Sequence, residues 1–252
     1  MSGEFYVVIP SRYGSTRLPG KPLLEIGEKT LLQHVFESAS RSKAIRVTIA
    51  TDDERIEDLA RSFGAEVIMT STEHSSGTDR IAEVVKRKDL GEDAVVVNVQ
   101  GDEFNLAPEL INQVADNLYA NSDASIATLC EELQDHEAAS DPAAVKVVVD
   151  KSDYALYFSR SLLPWRGSDK SGMQKSRCLK HLGLYAYRAG FLKKFTDLPQ
   201  CELERAERLE QLRALYNGYK IHVDTACTTA GVGIDTEEDL VQARAIVKEQ
   251  NG

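Results

Sequence analysis

A basic loop that contains two glycines follows the first apolar run of the chain. Segment 10–22 carries three cations, Arg12, Arg17 and Lys21, and no acidic residue. Glycine lets backbone N–H groups approach phosphate oxygens, and the three cations would neutralise a triphosphate. Because the whole chain has a formal net charge of -10, such a loop favours a bound polyanion over a surface loop that is basic by chance.

Two known phosphate-binding motifs come close to this sequence and do not fit it. Between Gly14 and Gly20 lie five residues where the P-loop has four, and Pro22 stands where a Ser or Thr hydroxyl would hold Mg²⁺. The pair Gly231 and Gly233 lacks the third glycine of a dinucleotide fingerprint. Kinases and ATPases of the P-loop class are therefore disfavoured.

Two acidic residues are candidate metal ligands. Asp102 follows the fourth predicted strand, and Mg²⁺ favours one or two carboxylates together with substrate phosphates, so Asp102 is the expected ligand. Asp235, before the last predicted helix, is the candidate for a second ligand. An acid in a turn or at the start of a helix explains Asp235 equally well.

Three other segments carry polar residues whose role the sequence leaves open. The loop 74–80 could line a base or cap the next helix, and Thr78 is the expected N-cap in either case. A strand over 181–187 puts His181 and Tyr185 on one face with space above Gly183, which suits a polar ligand, although a lone histidine is more often structural. The acidic positions Glu204, Glu207 and Glu210, with Gln211, predict a solvated helix face.

Short β-branched runs alternate with stretches of helical apolar spacing in the first half of the chain. The runs that predict strands are 6–9, 47–51, 66–69 and 94–99. This alternation predicts an α/β fold with a doubly wound, mainly parallel sheet related to the Rossmann fold. From about residue 124 the pattern changes to strands at 124–129, 145–150, 155–158 and 182–187, which predicts a smaller α+β portion.

Composition limits the function classes. The 252 residues are 42% hydrophobic and 28% charged, an ordinary composition for a soluble protein and enough to bury a core in one or two domains. The acidic balance argues against nonspecific nucleic-acid binding. No run approaches the ~18 apolar residues of a membrane span, and the short apolar start does not fit a signal peptide. The four cysteines are scattered, which suits a reducing compartment. We therefore expect a cytoplasmic protein without membrane insertion.

Ordered motifs along nearly the whole chain resemble one enzyme family. The segments that carry the resemblance are 9–22 (IPSRYGSTRLPGKP), 50–52 (ATD), 76–78 (SGT), 97–103 (VNVQGDE), 155–160 (ALYFSR), 180–185 (KHLGLY), 209–213 (LEQLR) and 233–236 (GIDT). Together they resemble the 3-deoxy-D-manno-octulosonate cytidylyltransferases, also called CMP-Kdo synthetases.

The resemblance implies a nucleotidyltransferase-like fold and a reaction. CMP passes from CTP to the anomeric hydroxyl of the sugar acid Kdo, which gives pyrophosphate and CMP-Kdo for lipopolysaccharide biosynthesis. It implies one cytidylyltransferase domain over 1–252, with a nucleotide-binding part at about 1–123 plus 225–252 and a sugar-binding and dimerisation part at about 124–224. It also implies a homodimer.

The resemblance also implies roles for individual residues. Arg12, Lys21 and Asp102 would be catalytic, and Asp102 and Asp235 would hold Mg²⁺. The residues implied for CTP are Pro10, Ser11, Arg12, Arg17, Lys21, Ser76, Gly77 and Thr78. The residues implied for the sugar are Gln100, Arg160, His181, Tyr185, Glu210 and Gln211. Arg160 suits a sugar carboxylate because a guanidinium donates two parallel hydrogen bonds.

Several alternatives remain at this point. Phe104 and Asn105 follow Glu103 where the family usually has proline. This difference leaves 8-amino-Kdo or another sugar acid as an alternative acceptor to Kdo. The rival classes are another sugar nucleotidyltransferase, a metal-dependent glycosyltransferase that releases no pyrophosphate, and a noncatalytic nucleotide sensor.

Overall fold

The computed structural model of the chain describes residues 3–14, 18–133, 136–165 and 177–250. In these ranges the strands are β1 (Phe5–Pro10), β2 (Glu25–Ile26), β3 (Lys29–Thr30), β4 (Arg46–Thr51), β5 (Glu66–Met69), β6 (Val95–Asn98), β7 (Glu103–Phe104), β8 (Ile126–Glu132), β9 (Lys146–Val149), β10 (Ala155–Ser159), β11 (Leu179–Arg188), β12 (Ile221–Thr225) and β13 (Val232–Gly233). The helices are α1 (Leu31–Ser40), α2 (Glu54–Ser62), α3 (Gly77–Arg87), α4 (Pro108–Ala120), α5 (His136–Ser140), α6 (Ala189–Phe195), α7 (Glu202–Glu207), α8 (Gln211–Tyr216) and α9 (Glu237–Gln250). No helix of the described ranges is long and apolar enough to cross a membrane.

The first half of the chain forms the predicted parallel sheet around β1. Strands β4 and β6 lie on either side of β1, and β5 lies beyond β4, all of them parallel. The chain runs from β1 to β4 and β5 and then returns to β6 on the other side of β1, so the direction of winding reverses there. Ligands of such sheets bind beyond the carboxyl ends of the strands at this reversal. The prediction of a doubly wound sheet is confirmed.

Helices cover both faces of this sheet because successive strand residues point to opposite sides. Val7 and Ile9 of β1 are buried in a layer with apolar residues of α1, α2, α4 and α9. Val8 is buried in the opposite layer with residues of α3, α6 and α8. This two-sided burial explains why β1 reads as a continuous apolar run.

The α+β portion joins the same sheet. Strand β11 runs antiparallel to β6 on one side and to β8 on the other, while β9 and β10 extend the sheet at its edge. Pairing between β8 and β11 carries both strands beyond the predicted 124–129 and 182–187, and β12, which the sequence pattern does not predict, lies parallel to β8. The proposed division at about residues 124 and 225 stays a prediction.

A short two-stranded ribbon lies outside the main sheet. In it Phe104 of β7 pairs with Val232 of β13. Gly231 comes directly before β13, and a Cβ at this position would lie 2.5 Å from the carbonyl oxygen of Phe104 and 2.8 Å from the backbone nitrogen of Leu106. The ribbon therefore needs glycine at position 231.

We expect Gly231→Ala to lower the free energy of unfolding by about 1–3 kcal/mol, because a methyl group against rigid backbone forces the ribbon apart. Gly233→Ala is the matched control, since a Cβ at Gly233 meets no atom within 4 Å. Denaturant unfolding of both variants measures the difference. Equal stability of the two variants would contradict the close approach at Gly231.

Candidate active site

A cleft of about 340 Å³ opens at the carboxyl ends of β1 and β6. It is lined by the loop after β1, the start of α3, the loop after β6 and the segment before α9. Of the residues singled out in the sequence, those that line it are Pro10, Ser11, Arg12, Lys21, Ser76, Gly77, Gln100, Asp102 and Asp235. Arg17 lies outside the described residues.

The ammonium group of Lys21 binds both candidate metal acids. Its Nζ donates to Asp102 Oδ2 at 2.7 Å, to Asp235 Oδ1 at 3.0 Å and to the carbonyl oxygen of Ile234 at 2.8 Å. Burial lowers the pKa of Lys21, but the two carboxylates, Asp102 first, raise it above the ordinary value. Lys21 therefore stays charged at neutral pH.

The structure separates the two explanations of Asp235. The N-cap of α9 is Thr236, whose Oγ1 accepts from the backbone nitrogen of Asp239. Asp239 Oδ2 in turn accepts from the backbone nitrogens of Asp235 and Thr236 at 2.9 and 2.8 Å. Because Thr236 and Asp239 form the cap, the carboxylate of Asp235 is not needed there and contacts Lys21 at the cleft.

Asp102 and Asp235 fit a hard divalent cation. Both carboxylates contact the ammonium group of Lys21. Burial, followed by the charges of Asp102 and Asp235, raises the pKa of neighbouring Glu103 to about 7. Among the described residues no group of three or more His, Cys, Asp or Glu side chains could hold a metal ion. Two carboxylates with ligands from substrate phosphates and water match the preference of Mg²⁺.

The loop after β1 presents groups for an anion. The hydroxyl of Ser11 is buried at the cleft and has no hydrogen-bond partner in the described part of the chain. Such an orphaned polar atom costs free energy unless a ligand completes it. Arg12 is exposed at the same cleft and makes no ion pair with the described residues. Ser11 and Arg12 therefore suit phosphate oxygens.

The start of α3 differs from the prediction at one residue. Ser76, not Thr78, is the N-cap: its hydroxyl accepts from the backbone nitrogen of Asp79 at 3.1 Å, and Asp79 Oδ2 accepts from the backbone nitrogen of Ser76 at 3.2 Å. This reciprocal pair is a capping box, which sets the helix start two residues earlier than expected. Ser76 and Gly77 line the cleft, whereas the Thr78 hydroxyl donates to Glu210 Oε2 at 2.5 Å.

Among the cleft residues that were not selected from the sequence, Arg80 and His74 carry ionisable side chains. Arg80 is buried, and its Nη2 donates to Asp52 Oδ2 at 2.7 Å, while Nη1 donates to the Thr70 hydroxyl. His74 Nε2 lies 2.5 Å from Glu83 Oε2. Both belong to the loop 74–80, but the sequence does not show which of its side chains a distant acid orients.

His181 and Tyr185 lie on one face of β11, as predicted. Their ring centroids are 5.2 Å apart, and a Cβ at Gly183 would meet nothing within 4 Å. His181 Nε2 is 3.0 Å from Thr128 Oγ1, and its ring packs edge-on to Phe158. Burial lowers the pKa of His181 to about 3, so its imidazole is neutral.

The acidic segment after β11 is not the single solvated helix predicted. Arg208 adopts the left-handed conformation and ends α7, and α8 begins at Gln211. Glu204 is buried and forms two hydrogen bonds with Arg213, at 2.8 and 2.5 Å. Glu210 faces Thr78 in the gap between the helices, and Gln211 Nε2 is buried without a hydrogen-bond partner among the described residues.

Arg160 is held at a distance from the cleft lining. Its Nε donates to the carbonyl oxygen of Glu207 at 2.9 Å and its Nη1 to that of Pro142 at 3.0 Å. The backbone nitrogen of Arg160 donates to Glu207 Oε2 at 2.9 Å. Of the residues implied for the sugar, Gln100 lines the cleft and Tyr185 lies near Glu210. The described contacts of Arg160 are to backbone carbonyl groups and to Glu207.

Comparison with known proteins gives consistent matches. The model of the family described as cytidylyltransferase matches residues 6–221. The 3-deoxy-manno-octulosonate cytidylyltransferase of Haemophilus influenzae is 48% identical over 251 residues, which cover 97% of this chain and 98% of the relative. The enzyme of the same description from Vibrio cholerae is 52% identical over 252 residues, which cover 98% of this chain and 99% of the relative.

Solved structures agree with the sequence matches. A CMP:2-keto-3-deoxy-manno-octonic acid synthetase complexed with CTP has a TM-score of 0.90 and 40% identity, and the match covers 98% of this chain and 100% of that one. A 4-diphosphocytidyl-2C-methyl-D-erythritol synthase from Anaerococcus prevotii has a TM-score of 0.60 and 14% identity, over 97% of this chain and 96% of that one. The second likeness shows the fold alone.

The neutral, buried His181 makes stability depend on pH. Because its pKa is about 3 in the fold and about 6.5 in an unfolded chain, only the unfolded state gains a proton between these values, and stability falls as pH drops below 6.5. We expect His181→Asn to remove up to about 1.4 kcal/mol of this loss per pH unit. Denaturant unfolding at pH 7.5, 6.5 and 5.5 measures it, and identical pH slopes in both proteins would refute the assignment.

Proposed function

The chain belongs to the 3-deoxy-manno-octulosonate cytidylyltransferases, and we propose that it transfers CMP from CTP to the anomeric hydroxyl of Kdo. The products are pyrophosphate and CMP-Kdo, which serves lipopolysaccharide biosynthesis. The observation that carries the proposal is one cleft in which an orphaned Ser11 hydroxyl and the exposed Arg12 face the same space as Lys21, Asp102 and Asp235. Anion-binding and cation-binding groups side by side suit a metal-dependent reaction of a triphosphate.

The loop after β1 supports binding of the triphosphate. Arg12 and Lys21 bring positive charge to the cleft, and the ion pairs of Lys21 fix the position of its ammonium before substrate arrives. The buried Ser11 hydroxyl gains a partner when a phosphate oxygen lies beside it. Ser76 and Gly77 line the same cleft at the start of α3, where the first backbone N–H groups of a helix have no partner within the helix. Arg17 is proposed for the same role on the resemblance alone.

We propose that Asp102 and Asp235 hold Mg²⁺ during turnover. When bound, the ion would offset the negative charge of the phosphates and of the attacking oxygen. The chain's own contribution is to hold the two acids together through Lys21 and to keep Asp239, rather than Asp235, occupied with the cap of α9. Both carboxylates thus remain directed at the cleft.

The acceptor side supports a sugar acid. The anomeric oxygen attacks the α-phosphorus of CTP, the new P–O bond forms, and the bond to the bridging oxygen breaks as pyrophosphate leaves. We propose that Gln100, His181, Tyr185, Glu210 and Gln211 orient the sugar and that Arg160 binds its carboxylate. Neutral His181 can donate or accept a hydrogen bond, and Gln211 Nε2 is a buried donor without a partner among the described residues. Catalysis in this arrangement is mainly positioning and electrostatic stabilisation.

Two further proposals concern the molecule in the cell. The resemblance supports a homodimer, and Leu156 on β10 and Trp165 are large apolar side chains that are 63% and 82% exposed in the part proposed for dimerisation. Sedimentation measures the mass of the assembly. A cytoplasmic location, which cell fractionation measures, agrees with CTP as the substrate.

We expect pyrophosphate release from CTP with Kdo, and less with 8-amino-Kdo or sialic acid. A coupled phosphate assay with each acceptor and CTP measures the rates. Faster release with 8-amino-Kdo or sialic acid would change the acceptor and keep the reaction. Release of CMP or UDP from a nucleotide sugar without pyrophosphate would support a glycosyltransferase instead, and CTP binding without turnover would support a sensor.

We expect Asp102→Asn to lower kcat at least about 100-fold, because it removes one of two carboxylates from the proposed cation site, where charge stabilisation contributes several kcal/mol. Asp58→Asn, on the exposed side of α2, is the matched control. Steady-state kinetics over a magnesium titration and Mn²⁺ binding by electron paramagnetic resonance measure the effect. A normal kcat and unchanged Mn²⁺ affinity would remove Asp102 from the metal site.

A further inference from the structure

Thr78 stands at the junction between the nucleotide-side cleft and the proposed acceptor site. The two preceding residues, Ser76 and Gly77, line the cleft, but Thr78 is 4% exposed and does not. Its hydroxyl donates to Glu210 Oε2 at 2.5 Å, across 132 residues of sequence. This hydrogen bond connects the start of α3 to the gap between α7 and α8.

The position of Thr78 is set by the helix start. It is the second residue of α3, and the capping box between Ser76 and Asp79 encloses it, with distances of 3.1 and 3.2 Å. The main chain of this turn is therefore fixed on both sides of Thr78. A β-branched side chain in a helix also has few rotamers, so the hydroxyl direction is well defined.

Glu210 depends on this hydroxyl for its orientation. Its side chain is 30% exposed, and Arg213 Nη2, the charged group near it, lies 3.7 Å away and is already engaged by Glu204 at 2.5 Å. Burial raises the pKa of Glu210, whereas Thr78, Ser76 and then Arg213 lower it. The hydrogen bond from Thr78 lowers the pKa more than that from Ser76, and it favours a charged, fixed carboxylate.

Glu210 in turn faces the side chains predicted for the sugar. Its charge contributes to the raised pKa of Tyr185 and of Tyr187, which places the carboxylate beside the face of β11 that carries His181. Its side chain is 30% exposed, and a carboxylate oxygen can accept more than one hydrogen bond, so Glu210 can also accept from a hydroxyl-bearing ligand.

We propose that Thr78 is a positioning residue, which holds Glu210 in place for the acceptor sugar rather than binding CTP with its side chain. This inference rests on the proposed function, because it assigns Glu210 to the acceptor of that reaction. It makes the start of α3 serve both substrates: Ser76 and Gly77 face the nucleotide, and Thr78 supports the acceptor side. Thr78, which the resemblance assigns to CTP, thus acts on the acceptor sugar through Glu210.

The test uses Thr78→Val, which keeps the shape and removes the donor, and Thr78→Ser, which keeps the donor. Glu210→Ala and the double variant complete a double-mutant cycle. Thr30→Val is the matched control, since Thr30 caps α1 through the backbone nitrogen of Gln33 and does not line the cleft. Thermal unfolding checks that each variant folds, and Thr78→Ser gives a readout if Thr78→Val does not.

We expect Thr78→Val to lower kcat/KM for the acceptor about 10- to 100-fold, as for a lost hydrogen bond to a charged group, with KM for CTP unchanged. Thr78→Ser restores the rate, and Thr78→Val adds no further loss to Glu210→Ala. A raised KM for CTP, or additive losses in the double variant, would overturn the positioning role. If the wild-type enzyme shows no turnover with any acceptor, the proposed function is overturned and this inference with it. If the wild type is active and Thr78→Val is unaffected, the inference alone is overturned.

Discussion

The contact between Lys21 and the carboxylates of Asp102 and Asp235 is the interaction on which the cleft depends. It joins the loop after β1 to the loop after β6 and to the segment before α9, where Asp235 lies 214 residues after Lys21. Without the ammonium, two carboxylates would face each other beside Glu103, whose pKa they already raise. Like charges this close repel each other even though the two side chains are 33% and 49% exposed. Lys21 therefore assembles the site as well as presenting charge to a ligand.

The same contact explains how a chain of net charge -10 can accept a nucleotide. Positive groups near the cleft offset part of the acidic charge: Lys21 pairs with both Asp102 and Asp235, and buried Arg80 pairs with Asp52. Arg12 keeps its charge for a ligand. Because exposed charges are screened within about 10 Å at 0.1 M salt, these local groups outweigh the acidic surface beyond them. That surface still opposes nonspecific binding of nucleic acid.

Sequence patterns predict well which residues meet at the cleft and predict poorly how the segment 202–216 folds, for a physical reason. The loop 10–22 and Asp102 follow buried parallel strands, so their place at one sheet edge is a consequence of the fold. The predicted N-cap of α3 is wrong by two residues. Ser76 and Thr78 are both residue types that cap helices well, and the reciprocal hydrogen bonds with Asp79 select Ser76. Strand β12 and the pairing of Arg80 with Asp52 depend on contacts between separate segments, which no local period encodes.

The left-handed turn at Arg208 determines how two acidic side chains are used. In a continuous helix Glu207 and Glu210 would lie three residues apart on one face. Because the helix ends at Glu207 and restarts at Gln211, Glu207 instead accepts from the Ser159 hydroxyl at 2.6 Å and from the backbone of Arg160, while Glu210 accepts from Thr78. One break thus supplies a carboxylate to the end of β10 and another to the start of α3. An uninterrupted helix could not orient both sides of the proposed acceptor site.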